Sequence, residues 1–218
     1  MGSGKRKIGK LHVLTDDVLQ SHFTHRELAQ LAIAGGADTI QFRQKSGTTK
    51  NMIEIAYQMS ELCRKAKVPF IVNDRVDVAI AVNADGVHLG QDDLPIPLAR
   101  KLLGKKKIIG GSAATIREAE KCLSEGVDYI GFGPVYPTGS KFDAGPVSGI
   151  RILEEVARKM PLPIIAIGGV TKESVPEVIK AGAYGIAVIS AVCCQEKPEA
   201  AARSLLEALE ECRAFSDD

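Results

Sequence analysis

Eight short apolar runs, each followed by a longer amphipathic stretch, restrict the folds open to this chain more than any other feature of it. The runs are LHVLT, TIQFR, PFIVN, GVHLG, KIIGG, YIGFG, PIIAIGG and GIAVIS, and most are rich in β-branched residues. Between them lie segments such as NMIEIAYQMSELCRKAK (51–67), TIREAEKCLSEG (115–126) and KESVPEVIKAG (172–182). Their apolar residues recur at three and four spacing, the period of a helix with one buried face. Strand, helix, strand repeated without a linker calls for parallel pairing, because parallel neighbours need a crossover connection long enough to return the chain to the same edge.

An internal repeat supports this. GGADTIQFR, NADGVHLG, EGVDYIGFG and AGAYGIAVIS join a helix end to the second, fourth, sixth and eighth runs. Glycine or asparagine suits the left-handed cap of a helix, and a small residue after it lets the chain turn closely into a barrel floor. Any α/β protein contains such loops. The count of eight makes a single-domain (β/α)8 TIM barrel the expectation rather than an open doubly wound sheet, and 218 residues suit one such barrel.

Composition excludes several function classes. A net charge of +1 provides no basic field for nucleic acid. The one basic cluster, Lys5 to Lys7, sits in a Gly/Ser-rich start read as a flexible tail over residues 1–9, ahead of a barrel domain over 10–218. No stretch approaches the ~20 apolar residues of a membrane span. Five cysteines are an odd number without metal-ligand spacing, and no apolar signal segment precedes them, so reduced thiols in a cytoplasm are expected. A homo-oligomer is compatible with all of this.

In such a barrel the loops that follow the strands gather at one face, where barrel enzymes do their chemistry. That face would receive Gln41, Arg43 and Lys45; Asn73, Asp74 and Arg75; His88, Gln91 and Asp93; Ser112; Thr138, Ser140 and Lys141; Gly168 and Gly169; and Ser190. Polar groups thus converge from seven of the eight runs. Asp74 and Asp93 stand nineteen positions apart, each just beyond an apolar run. Two carboxylates, with further positions open to water and phosphate oxygens, describe a common Mg2+ site. The alternative is local: Asp74 capping a helix that starts near Asp77, and Asp93 belonging to a turn before Pro95.

Arg43, Lys45 and Lys141 at the same mouth would neutralise a polyphosphate, although each taken singly is also an ordinary surface charge. GGV (168–170) after the seventh run, followed by Ser190 after the eighth, suits the phosphate site that many barrels build there. GPVYPTGSKFDAG (133–145) is long for a barrel loop, which points to a lid or, alternatively, a disordered connector. His88 is open to two readings, a satisfied core histidine or a catalytic one. No nucleophile elbow, Ser/His/Asp order or dinucleotide fingerprint stands out. The residues favour phosphate chemistry done by positioning and charge.

QFRQK, FIVNDR, GVHLGQDD, PTGSK and AIGGV, in this order, resemble the thiamine-phosphate synthase family over about residues 11–195. The resemblance implies a (β/α)8 transferase that joins an aminopyrimidine methyl diphosphate to a thiazole phosphate and releases diphosphate, with Mg2+ as cofactor. It further implies that the pyrimidine carbon–oxygen bond ionises first and that the thiazole nitrogen captures the resulting cation. Gln41, Arg43, Lys45 and Asn73 match the pyrimidine diphosphate contacts, and Asp74 and Asp93 match the Mg2+ ligands. Ser112 and Lys141 match further diphosphate or pyrimidine contacts. Thr138, Ser140, Gly169, Ile189 and Ser190 match the thiazole phosphate site. Phe42, Gln44, His88, Gly139 and Gly168, in or beside these segments, complete the expected substrate contacts, with Arg43, Lys45, Ser112 and Lys141 as the catalytic set. Three positions depart from the family pattern: Gln44 for Glu, Ser140 for Thr and Ala114 for a common His. Ala114 bears on one alternative, a thiazole tautomerase-like paralogue that relies on that histidine; the other is a non-catalytic phosphate-binding barrel.

Overall fold

The computed structural model describes residues 8–140 and 145–214. All eight apolar runs are strands: β1 Leu11–Asp16, β2 Thr39–Arg43, β3 Phe70–Asn73, β4 Gly86–Leu89, β5 Ile108–Ala113, β6 Tyr129–Phe132, β7 Ile164–Ile167 and β8 Gly185–Val188. Each pairs in parallel with the next, and β8 closes on β1 through Leu11↔Ile186, His12↔Ala187 and Val13↔Val188. The protein is a single-domain (β/α)8 barrel.

Around it run α1 His25–Ala34, α2 Thr49–Ala66, α3 Val76–Ala81, α4 Ile96–Leu103, α5 Ile116–Glu125, α6 Gly149–Lys159, α7 Val175–Lys180, α8 Ser190–Cys193 and α9 Pro198–Ala214. Short polar residues set the starts of three of them. Thr24 and Glu27 form a reciprocal capping box at α1, and the Thr48 and Thr115 hydroxyls accept from the third backbone N–H of α2 and α5. The stretch 172–182, expected to be one helix, is broken: a 3-10 turn over Lys172–Ser174 precedes α7. Pro176 explains the boundary, since a proline belongs in a first helical turn, where its missing N–H has no partner to lose. Among the described residues no helix is long and apolar enough to cross a membrane.

The internal repeat has a structural meaning at the barrel floor. In three copies an aspartate pairs its N–H with a carbonyl of the preceding odd-numbered strand and accepts that strand's N–H on its carboxylate. Asp38 does so at Leu11 (3.2 and 2.8 Å), Asp85 at Phe70 (2.9 and 3.0 Å) and Asp128 at Ile109 (both 2.7 Å). The fourth copy has Tyr184, whose N–H keeps the bond to the Ile164 carbonyl at 2.8 Å. Asp38 also accepts the Lys10 N–H at 2.8 Å, and the Gly9 N–H reaches the Thr39 hydroxyl at 2.8 Å. Ile8 is buried in the core. Of the expected tail, residues 8 and 9 are therefore held by the barrel, and residues 1–7 lie outside the described residues.

Inside the barrel the apolar filling gives way to a polar layer. The Tyr129 hydroxyl and the Ser112 hydroxyl bracket His88, at 3.0 Å from Nδ1 and 2.9 Å from Nε2. Room for these rings comes from glycine: a Cβ on Gly110 would sit 2.3 Å from the Tyr129 ring and 2.4 Å from His88 Nδ1.

Asp38→Ala removes the acceptor of two backbone N–H groups, one of them on buried Leu11. Denaturant unfolding is expected to show a loss of about 1–3 kcal/mol, and a melting temperature several degrees lower. Unchanged stability would show that the floor bonds contribute nothing net.

Candidate active site

The carboxyl ends of the strands open into one cavity of about 900 Å³. Period-two alternation along β2 decides what reaches it. Arg43 lines the cavity and Gln41 lines the small interior space beneath it, whereas Phe42 points the other way, with its ring edge-on to His25 of α1 at 4.9 Å. Phe42, expected among the substrate contacts, is thus part of the packing between strand and helix. Gln44 also turns away, donating to the Ser46 carbonyl at 2.9 Å and to Asn51 Oδ1 at 3.3 Å near the start of α2.

At one end of the cavity the two candidate metal ligands meet. Asp74 adopts a left-handed backbone (φ 62°), with its N–H on the His88 carbonyl at 2.8 Å. Its carboxylate receives Lys45 Nζ at 2.6 Å and lies within hydrogen-bonding reach of Asp93. Burial pushes the Asp93 carboxyl up, and the hydrogen bond and charge of Asp74 add to this. Asp74 is pushed up by burial too, but the bond from Asp93 and the Lys45 ammonium outweigh it and hold the carboxyl below the usual range. Such a split is what two carboxyls sharing one site show.

The local alternatives fare differently. Arg75 occupies the N-cap of α3 and no side chain caps that helix, so Asp74 is not a cap. Asp93 does serve its turn, accepting the Gly90 N–H at 2.6 Å, and faces Asp74 as well. Among the described residues no group of three His, Cys, Asp or Glu side chains forms a fuller metal cage. A cation here would have two hard carboxylate oxygens from the protein and its other positions open to water or ligand oxygens, a donor set that fits Mg2+.

Ser112 and Asn73 line the cavity between its two ends. The Ser112 carbonyl accepts Gln91 Nε2 at 2.6 Å, so the residue is held from the Gln91 side chain as well as from His88. Both ring nitrogens of His88 are engaged and the side chain is buried, which favours the core reading of that residue with Ser112 as its contact to the cavity. The first strand, from which the sequence supplied no site residue, contributes Asp16. Its carboxylate pairs with Arg43 Nη1 in the barrel wall. The apolar run LHVLT ends at Thr15, and the acidic pair Asp16–Asp17 that follows it is the sequence signal for this position.

The other end is rich in hydroxyl and backbone groups. Thr138, Ser140, Gly168, Gly169, Ile189 and Ser190 all line it. Ser140 Oγ meets Ser190 Oγ at 3.1 Å, joining the loop after β6 to the start of α8. Gly168 and Gly169 both have positive φ (92° and 66°), and a Cβ on either would come 2.6 Å from backbone atoms of Pro134 or Pro137. The described part of the long loop is fastened rather than loose: the Val135 and Tyr136 N–H groups bond to the Ile167 and Gly168 carbonyls at 3.0 Å, and the Tyr136 hydroxyl reaches Glu177 at 2.7 Å. Gly139 sits between Thr138 and Ser140 in this loop. Lys141, expected to be catalytic, lies outside the described residues. Ala114 carries only a methyl group after β5, with its N–H on Glu118 at 2.6 Å and its carbonyl accepting from Ser148 at 2.7 Å.

A family model described as thiamine monophosphate synthase matches residues 11–192. The chain belongs to that family. It is 54% identical over 195 residues to the thiamine-phosphate synthase of Methanocella arvoryzae, covering 89% of this chain and 92% of that one. It is 50% identical over 197 residues to the thiamine-phosphate synthase of Salinibacter ruber, with 90% and 87% covered. A solved structure of thiamine phosphate pyrophosphorylase from Pyrococcus furiosus superposes with a TM-score of 0.86 at 41% identity, covering 93% of this chain and 96% of that one. In this thiamine monophosphate synthase family member the two carboxylates and the Ser140–Ser190 contact stand at opposite ends of the barrel mouth.

Because Asp74 caps no helix and Asn also tolerates a left-handed backbone, Asp74→Asn is expected to lose no more than the Lys45 ion pair contributes, about 1 kcal/mol or less of unfolding free energy. A loss of several kcal/mol would show that Asp74 carries a larger structural role than that ion pair.

Proposed function

We infer that this chain is a thiamine-phosphate synthase, a transferase that condenses 4-amino-2-methyl-5-(diphosphomethyl)pyrimidine with a thiazole phosphate to give thiamine phosphate and diphosphate. The observation that carries the reading is a single cavity with two different ends for anions, one of cations and paired carboxylates, the other of hydroxyls and glycine backbone. A substrate pair consisting of a diphosphate and a monophosphate suits that asymmetry. The cysteines, none of them in a disulfide among the described residues, fit a cytoplasmic setting.

In the proposed reaction the carbon–oxygen bond of the pyrimidine methyl group breaks and its electron pair leaves with the diphosphate. The thiazole nitrogen then donates its lone pair to the pyrimidine carbon to form the new carbon–nitrogen bond. No protein base is required for either event. Arg43 and Lys45 present fixed positive charge where the leaving diphosphate gains negative charge, a contribution that grows toward the transition state. Asp74 and Asp93 would hold Mg2+, which when bound supplies further positive charge to the diphosphate. Ser112, oriented by His88, and Asn73 would place the pyrimidine between the two ends, and Thr138, Ser140, Gly169 and Ser190 would hold the thiazole phosphate. Lys141 keeps the catalytic role that the family resemblance implies for it.

Incubating the protein with both substrates and Mg2+ and following products by mass spectrometry tests the reading. Thiamine phosphate and diphosphate should appear together; no product, with an active relative running in parallel, would contradict it. Asp93→Asn should lower turnover on the order of a hundredfold, equivalent to roughly 3 kcal/mol of lost transition-state stabilisation. Wild-type turnover in that variant would remove Asp93 from the metal site.

A further inference from the structure

We propose that Asp16 and Asp17 are positioning residues of the diphosphate end, Asp16 through the Arg43 guanidinium and Asp17 through the backbone that carries Lys45. The proposal rests on the reading of Arg43 and Lys45 as the groups that meet the diphosphate.

Arg43 is 6% exposed and Asp16 is fully buried. A guanidinium taken this far out of water needs a carboxylate partner, and removal of that partner would leave an uncompensated buried charge. Asp16 is itself fixed: Oδ1 accepts the Val18 and Leu19 N–H groups, both at 2.9 Å, and Oδ2 pairs with Arg43 Nη1. A guanidinium held at one nitrogen and packed in the barrel wall has few orientations open to it, so its other donors are presented in a restricted geometry. One of them, Arg43 Nε, is buried and has no hydrogen-bond partner. An unpaired buried donor is costly, and it leaves Arg43, which lines the cavity, one acceptor short.

Asp17 acts on the neighbouring loop. Its Oδ1 accepts the Lys45 N–H at 3.2 Å, and its Oδ2 accepts both the N–H (3.2 Å) and the hydroxyl of Ser46. Burial pushes the Asp17 carboxyl up, but the Ser46 hydroxyl and the backbone N–H groups outweigh this and keep it ionised below the usual range. The loop after β2 is therefore pinned at the residue whose Nζ crosses to Asp74 Oδ2. Two consecutive carboxylates, the last residue of β1 and the one after it, hold the two cations expected at the diphosphate, one by its head group and the other by its main chain.

Asp16→Asn separates this role from general support, because Oδ1 can still accept the Val18 and Leu19 N–H groups while an NH2 group replaces the oxygen facing Arg43. Calorimetry with inorganic diphosphate and Mg2+, and separately with the thiazole phosphate, reads the effect. The dissociation constant for diphosphate is expected to rise about tenfold or more, and that for the thiazole phosphate to stay within about twofold. Asp17→Ala, at the less buried position, should weaken diphosphate in the same selective way, and Asp17→Asn should restore part of the loss by keeping an acceptor for the Lys45 N–H. Should Asp16→Asn fail to fold, the Asp17 pair carries the test. Equal weakening for both ligands, or diphosphate binding unchanged in Asp16→Asn and Asp17→Ala, would overturn the brace while leaving the site reading intact. A wild-type protein that binds no diphosphate would overturn the site reading and the brace with it.

Discussion

Closure of eight parallel strands is the constraint on which the rest of the molecule depends. Because β1 pairs with both β2 and β8, no strand can slip without breaking two ladders, and the inward or outward sense of every side chain is fixed around the ring. A one-residue shift of β2 would turn Arg43 into the helix layer and Phe42 into the cavity. The floor aspartates Asp38, Asp85 and Asp128 lock β2, β4 and β6 to the strand before each at the opposite end, so the same register that buries the core delivers polar side chains to a single mouth.

At that mouth the fold holds charges that would separate if free. Asp74 and Asp93 stand within hydrogen-bonding reach of each other, partly buried, with Lys45 against one of them. A pair of carboxylates so placed calls for positive charge between them, whether a proton or a cation. The left-handed backbone at Asp74 carries some conformational cost, and strain of this kind persists where the surrounding structure over-determines it, here through the ladder-like bond from Asp74 to the His88 carbonyl. At the opposite end of the cavity the described groups are hydroxyls and backbone, and the cost lies in two glycines that no other residue could replace without meeting Pro134 or Pro137.

Most of this architecture was legible in the sequence because it depends on periodicity and punctuation. The eight runs, their parallel pairing and the convergence of Asp74, Asp93, Ser112 and Ser190 follow from strand count and from what stands at each strand end. What escaped depended on contacts between distant segments. Asp16 lies at the end of an apolar run and looks like any loop carboxylate until Arg43, twenty-seven positions on, is folded against it. Phe42 fell inside a matched segment, and only strand alternation separates it from Gln41 and Arg43. Gln44 could be named as a departure, but its turn toward Asn51 needed the placement of α2. His88 was undecided by sequence, since the neighbours that engage it, Tyr129 and Ser112, come from β6 and β5. The break at 172–174 was signalled by Pro176 and missed because the helical period continues through it.

In the proposed function one cavity receives a diphosphate and a monophosphate at separate, chemically different ends. A crystal structure of the protein grown with Mg2+, inorganic diphosphate and the thiazole phosphate tests it directly. The account expects metal and diphosphate between Asp74, Asp93, Lys45 and Arg43, and the thiazole phosphate against Gly169 and Ser190 of the same cavity. Both anions at one end, or either one bound outside the cavity while its own end stays empty, would contradict it.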